Sequence, residues 1–306
     1  MESHLFSMDW VVPLRHPWAT PVAEGFTWLG YTPFFLMFLP VGYWLWDRSA
    51  FTRLTVLVAI TAVLNGWLKD FWQDPRPPAE VQLDGRVEGS PGRPSGHAQV
   101  AVAMWLWLAW EIGRPWAWAL GIIFAVGVSV SRLYLGVHDV DDVITGAALG
   151  LATLAAFAWF TRMARGPVPR LRQMPAVQLV LVLALVPAIW AAWPRAAEAA
   201  GEAVHSGAGP TVTVLFLLAG WLAGSALDGR LSPGNRARAA VWQQAAMVLT
   251  GIPGLFALRW AIEMGGVAAG MPQAPVAFGG AAVLGFYMTG LAPAAFRATG
   301  LMPRPA

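Results

Sequence analysis

The sequence contains no cysteine, which excludes disulfides, thiolate metal sites and cysteine nucleophiles and leaves the redox compartment unmarked. Charge is nearly as scarce. Asp, Glu, Lys and Arg make up 12% of the 306 residues, where a soluble domain carries about 25%. The 20 Lys and Arg against 17 Asp and Glu leave a formal charge of +3, with no basic run of the kind that binds nucleic acid. The N-terminal stretch MESHLFSMDW has an early acid, no basic region and no clean apolar run, so no cleavable signal peptide is expected.

What is present is apolar. Hydrophobic residues account for 57% of the chain and there are 18 tryptophans, as in an integral membrane protein with aromatic belts at both interfaces. Apolar runs near 28–46, 52–68, 96–112, 115–134, 140–160, 176–193, 210–227, 240–260 and 275–296 approach the roughly 20 residues that a spanning helix needs. The expected fold is all-α: a polytopic membrane helical bundle of about nine transmembrane helices. Residues 1–27, broken by Pro13, Pro17 and Pro21, read as an interfacial N-terminal segment. Residues 28–162 form a core, 163–175 a basic, Pro-rich cytoplasmic linker, and 176–306 a C-terminal membrane extension of unassigned role. A homodimer contact, a lipid groove and a regulatory surface all stay open for that extension. The pairs Gly146/Gly150, Gly220/Gly224 and Gly266/Gly270 have the spacing of small residues at helix contacts, and simple packing is the plain reading of them.

Threading these spans in order collects Arg48, Arg53, Arg114, Arg162, the arginines of 163–175, Arg230, Arg236, Arg238, Arg297 and Arg304 on one side. Outside the polar loops, the other side holds only Arg15, Arg195 and Arg259. The positive-inside rule makes the first side cytoplasmic. The polar loop 69–96 and the stretch 131–142, two spans apart, then open together on the extracytoplasmic side.

These two regions hold three polar clusters: KDFWQDPRP (Lys69 to Pro77), PSGH (Pro94 to His97) and SRLYLGVHDVDD (Ser131 to Asp142). Lys69, Arg76 and Arg132 are cations suited to gripping a dianionic phosphate. Ser95 and Gly96 stand where a helix starts, so their backbone N–H groups and the helix dipole add donors for the same anion. His97 and His138 titrate near neutrality, and a pair of such groups can divide the work of attacking phosphorus and protonating the departing oxygen. Asp142 follows His138 by four residues, so in a helix its carboxylate holds the imidazole from behind. Alone, His138 would more often be a structural histidine. HDVDD also reads as a hard-cation site, but the surrounding cations disfavour a metal, and no cofactor is expected. His4, His16 and His205 match no pattern, and Asp70, Asp74, Arg86, Glu88 and Arg93 receive no role.

The three clusters resemble the tripartite signature of the phosphatidic acid phosphatase type 2 superfamily of membrane phosphatases, a site also found in vanadium haloperoxidases and glucose-6-phosphatase. Lys69, Arg76 and Pro77 match the first motif, Pro94 to His97 the second, and Ser131, Arg132, His138 and Asp142 the third. The resemblance covers roughly residues 25–162 and carries nothing into the last spans. It implies metal-independent hydrolysis through a phosphohistidine: His138 attacks, Asp142 orients it, and His97 protonates the leaving alcohol. Lys69, Arg76, Ser95, Gly96 and Arg132 hold the phosphate oxygens. The expected substrate is a lipid phosphate monoester or diphosphate, met among membrane lipids in a bacterial inner (plasma) membrane, with no nucleic-acid partner and a homodimer through the C-terminal helices left open. A phosphotransferase, a sugar phosphatase like glucose-6-phosphatase and a lipid transporter are the alternatives.

Overall fold

Long apolar runs have one stable form in a bilayer, because only a helix satisfies every backbone group within its own segment. The computed structural model describes residues 4–87, 89–164, 208–233 and 239–303, and they contain helices and no strand. In chain order the helices are α1 (His4–Ser7), α2 (Ala19–Trp28), α3 (Thr32–Leu45), α4 (Arg48–Trp72), α5 (Gly96–Ile112), α6 (Pro115–Tyr134), α7 (Val140–Ala164), α8 (Ala208–Leu231), α9 (Val241–Ala268), α10 (Gln273–Phe286) and α11 (Ala292–Ala298). A π-helical turn, Tyr287–Leu291, joins the last two. The expected span 176–193 and the linker beyond residue 164 lie outside the described residues; of the others, 28–46 shortens to the 14-residue α3 after the end of α2, 275–296 runs over α10, the π-helical turn and α11, and the rest fall on single helices. Among the described residues, six helical stretches are long and apolar enough to cross a membrane, and this is an integral membrane protein. Pro21 sits in the first turn of α2, where its missing N–H costs nothing, so the N-terminal segment carries a helix despite its prolines.

The described residues fall into two compact units. The first takes the chain up to Phe35 and from Leu57 onward through α7. Its centre is α5, which packs against both α6 and α7. Gly113, at φ +66°, ends α5 in the left-handed conformation, and Pro115 opens α6 at once. Small residues set the spacing of these helices. A Cβ on Gly121 would stand 2.9 Å from the Trp105 carbonyl oxygen, and one on Gly150 would stand 2.6 Å from that of Gln99. Trp105 and Phe124 fill the α5–α6 interface with ring centroids 4.6 Å apart, and Trp107 and Phe157 fill the α5–α7 interface at 4.8 Å. The opposite faces of α6 and α7 leave Ile122, Ile123, Val126, Val130, Ile144 and Leu151 exposed, as bilayer-facing side chains should be.

The loop between α4 and α5 is polar but anchored. Val81 packs with Met8 and Val11, and Val87 with Ala23, Leu135 and Val137. Leu83 N–H donates to the Leu135 carbonyl at 2.9 Å. This last bond ties the loop to the turn between α6 and α7, where Gly136 has φ +67° and faces the Val81 carbonyl too closely for any side chain.

The second unit contains residues 36–56 and the helices after Val212. Gly220 and Gly285 each face a backbone carbonyl of the other's helix, Ala282 and Leu217 respectively, so α8 and α10 meet backbone to backbone. Its buried Asp228 pairs with Arg48 at 3.3 Å and with Arg297, and accepts a hydrogen bond from Tyr43 at 2.9 Å.

Candidate active site

The third motif folds around a helix start. Asp139 precedes α7, and its Oδ1 accepts from the Asp142 N–H at 2.8 Å, while Asp142 Oδ2 accepts from the Asp139 N–H at 3.3 Å. This is a reciprocal capping box built from two carboxylates. Asp142 Oδ2 also accepts from His138 Nδ1, at 2.9 Å. His138 therefore stands in the turn before α7 and not on a shared helical face. The four-residue spacing serves because the side chain three positions into a capping box folds back over the helix start. With Nδ1 donating to a carboxylate, Nε2 carries the lone pair.

Three cations act on that imidazole, and one of them touches it. His138 is 1% exposed; burial above all, followed by Arg76, Lys69 and Arg132 and then His97, holds its imidazole well below the ordinary 6.5. Arg76 lies in the loop after α4, with Nε on the Ser90 carbonyl and Nη1 on the Val137 carbonyl, both at 2.5 Å. The same Nη1 is 3.1 Å from His138 Nε2. Burial and then the neighbouring Arg132 lower the Arg76 guanidinium to about 10, so it stays charged at neutral pH. Lys69, in the last turn of α4, is buried and donates to the carbonyls of Pro91 and, at 2.9 Å, Gly92. Arg132, in the last turn of α6, is fully buried. Its Nη1 donates to Thr27 and, at 3.3 Å, to Asp84, whereas Nε and Nη2 have no hydrogen-bond partner.

The second motif contributes from the start of α5. Ser95 precedes the helix, and its N–H is taken by the Asp142 carbonyl at 3.0 Å. The expected backbone donor at this position is thus engaged, and the buried Ser95 hydroxyl is the group without a partner. Gly96 opens α5, where the first N–H groups have no acceptor within the helix. A Cβ there would press on Asn65 Oδ1 at 2.9 Å. His97 leans edge-on against Tyr31, ring centroids 4.6 Å apart, and its Nε2 is buried without a partner. Arg132 Nε and Nη2, Ser95 Oγ and His97 Nε2 are therefore polar atoms enclosed without partners in a cationic setting, a donor set chemically suited to an oxyanion.

All eight candidate site residues occupy the first unit, but motif reading missed the residues behind them. Asn65 donates to the Pro94 carbonyl at 3.1 Å and to Gln99 Oε1 at 2.9 Å, bracing the PSGH turn. A buried amide in each of two apolar spans is a visible signal. Tyr31, Thr27 and Asp84 gave none, since Asp84 is one acid among several in a polar loop. Asp74, Asp139 and Asp142 bring one oxygen each to within 4.8 Å of one another, the geometry of a candidate cation site. The capping box and His138 already use Asp139 Oδ1 and Asp142 Oδ2, and Arg93 lies 3.9 Å from Asp74. The second oxygen of Asp142, Oδ1, is buried without a hydrogen-bond partner.

The PAP2 superfamily matches residues 50–166. The chain is 33% identical over 141 residues to human sphingosine-1-phosphate phosphatase 2, covering 43% of this chain and 35% of that protein. It is 31% identical over 153 residues to Bacillus subtilis phosphatidylglycerophosphatase B, covering 46% of this chain and 74% of that protein. A crystal structure of a transmembrane PAP2 type phosphatidylglycerolphosphate phosphatase from Bacillus subtilis aligns with a TM-score of 0.46 at 25% identity, over 53% of this chain and 85% of that one. The chain spans well under half the length of the sphingosine-1-phosphate phosphatases it matches. With the B. subtilis phosphatase matched over most of its length and the superfamily match enclosing all three motifs, this chain belongs to the PAP2 superfamily.

Proposed function

We propose that this protein hydrolyses a phosphate monoester of a membrane lipid through a covalent phosphohistidine on His138, without a metal, at a site opening to the extracytoplasmic side of a bacterial inner membrane. The observation that carries the reading is the His138 imidazole: Nδ1 is tied to Asp142, and Nε2 faces Arg76 among three cations. In this reading Arg76 Nη1 exchanges its bond to Nε2 for a phosphate oxygen as the substrate enters. Nε2 then attacks phosphorus in line, the bond to the leaving alkoxide breaks, and His97, which takes up a proton once the negative phosphate stands beside it, gives that oxygen its proton. Asp142 steadies the cationic imidazole as the N–P bond forms. Lys69, Arg76, Arg132, the Ser95 hydroxyl and the Gly96 N–H hold the equatorial oxygens, where charge redistributes in the transition state. Neutral His97 next takes a proton from water, the resulting oxygen attacks phosphorus, the N–P bond breaks, and phosphate leaves with His138 restored.

The spanning helices and the names of the two relatives, one for sphingosine-1-phosphate and one for a phosphatidylglycerophosphate, support a lipid substrate. The arginine asymmetry supports the orientation. In this reading residues 28–162 are the phosphatase core, 163–175 the cytoplasmic linker, and 176–306 an extension offering a homodimer contact. The test is phosphate release by the purified full chain with a chelator present, from sphingosine 1-phosphate, phosphatidylglycerophosphate, phosphatidate and glucose 6-phosphate. Release from a lipid that disappears in His138→Ala supports the proposal. Release that persists in His138→Ala, or that requires added metal, overturns it.

A further inference from the structure

Arg132 is fully buried, and Asp84, itself 5% exposed, is its ion-pair partner among the described residues. A buried guanidinium without a counter-charge is costly, so the identity of that partner matters. Asp84 stands outside all three motifs, in the short stretch between the turns Ala79–Val81 and Gly85–Val87. Its two oxygens are fully used. Oδ1 accepts from Arg86 Nε at 2.7 Å and from the Arg86 N–H at 3.2 Å. Oδ2 accepts from Arg132 Nη1 at 3.3 Å and from the Tyr31 hydroxyl. Burial opposes its charge, but the hydrogen bonds from Arg86 and Tyr31 hold its carboxyl well below the usual carboxylate range, so it is ionised at any working pH.

What Asp84 does to Arg132 is selective. With Thr27 it takes Nη1 and leaves the other edge of the guanidinium, Nε with Nη2, enclosed and without a partner. That edge is the two-donor fork that binds two oxygens of a phosphate. Through Oδ2 the same carboxylate holds Tyr31, against whose ring His97 leans and over which Arg86 lies at 4.1 Å. One carboxylate thus touches the supports of a phosphate-facing arginine and of one of the two histidines.

We propose that Asp84 is a positioning residue: it holds Arg132 by Nη1 so that the Nε–Nη2 edge meets the phosphoryl group, and it fixes Tyr31 against the His97 ring. The proposal rests on the phosphatase reading above. Two effects of opposite sign separate it from a mere counter-charge. Loss of a negative charge beside the clamp raises the field at the phosphate and tightens binding of inorganic phosphate. Loss of orientation loosens the fork and slows turnover.

The experiment measures kcat, KM, product inhibition by inorganic phosphate and thermal unfolding for the full chain and for Asp84→Asn, Asp84→Glu, Arg132→Lys and the Asp84→Asn/Arg132→Lys double variant. Asp84→Asn is expected to lower kcat/KM about 100-fold, the scale on which a misplacement of about 1 Å acts, and to weaken phosphate inhibition. Asp84→Glu is expected to restore part of the loss. In the Arg132→Lys background Asp84→Asn is expected to add no more than about a twofold loss, because residues acting through one another are not additive. Unchanged kcat/KM, full additivity with Arg132→Lys, or tighter phosphate binding at unchanged kcat overturns the proposal. If Asp84→Asn does not fold, Thr27→Val removes the neutral acceptor on the same Nη1: a loss of about tenfold supports positioning and unchanged kinetics overturn it. Full activity in both His138→Ala and Arg132→Lys would instead bring down the phosphohistidine mechanism on which the proposal rests.

Discussion

His138 Nδ1 lies 2.9 Å from Asp142 Oδ2, and that oxygen also closes the cap of α7. One carboxylate oxygen therefore fixes both the start of a membrane helix and the tautomer of an imidazole. Asp142→Asn keeps the shape and removes the charge, and an amide nitrogen turned to Nδ1 selects the wrong tautomer. Phosphate release by this variant should fall by about 10³-fold or more, with the thermal unfolding temperature reduced far less than the activity. Steady-state kinetics beside a melting curve checks both halves of that expectation.

The pH dependence follows from the direction of the His138 shift. Because burial and then Arg76, Lys69 and Arg132 hold its pKa well below 6.5, Nε2 stays unprotonated through neutral and mildly acid solution. Protonation removes the nucleophile, so kcat/KM should hold as pH falls through 6.5 and drop only well below it. Substrate phosphate titrates in the same region, so the diagnostic is a shift. Arg76→Gln deletes the cation that touches Nε2, and the acid limb assigned to His138 should move to higher pH. An acid limb that stays in place would assign it to the substrate.

The helices and the chemistry were legible in the sequence for different reasons. Spans such as 115–134 stand out because lipid demands unbroken apolar helix. Lys69, Arg76, His97, Arg132, His138 and Asp142 stand out because ionisable groups in such a chain are expensive. Tertiary geometry stayed hidden. Nothing in the spacing tells that Asp142 reaches back to His138 from within a capping box, that the Ser95 N–H is spent on the Asp142 carbonyl, or that Asp84 and Thr27 share one nitrogen of Arg132. Apart from the His138–Asp142 pair, these contacts join residues far apart in the chain, where only packing decides the partner.

The α5–α7 contact sets the position of the PSGH turn, and Gly146 sets that contact. A Cβ at residue 146 would stand 2.5 Å from the Ser95 carbonyl oxygen, a backbone atom that cannot turn aside. Gly146→Ala should cost about 1–3 kcal/mol of stability and about tenfold in kcat/KM by moving Ser95 to His97. Gly279→Ala, where a Cβ meets nothing within 4 Å, is the control and should leave kinetics unchanged. Unfolding and initial-rate measurements on the two variants separate a close approach from a generic glycine effect.

Asn65 tests the bracing of the same turn from the α4 side. Asn65→Leu keeps the volume but leaves Gln99 Oε1 and the Pro94 carbonyl without their donor in a buried setting. Each such loss costs about 1–3 kcal/mol. A marked fall in melting temperature is expected, with a rise in KM as the Ser95 and Gly96 donors lose their alignment. Restoring an amide with Asn65→Gln should recover part of both.

The central claim is a phosphoryl group carried on His138 Nε2. Rapid quenching of the purified protein with a phosphate-labelled lipid substrate, followed by peptide mapping, measures it directly. The account predicts a transient, acid-labile and alkali-stable label on the peptide containing His138, formed no slower than turnover and absent from His138→Ala. Turnover at full rate with no protein-bound label, or label that persists in His138→Ala, would contradict it.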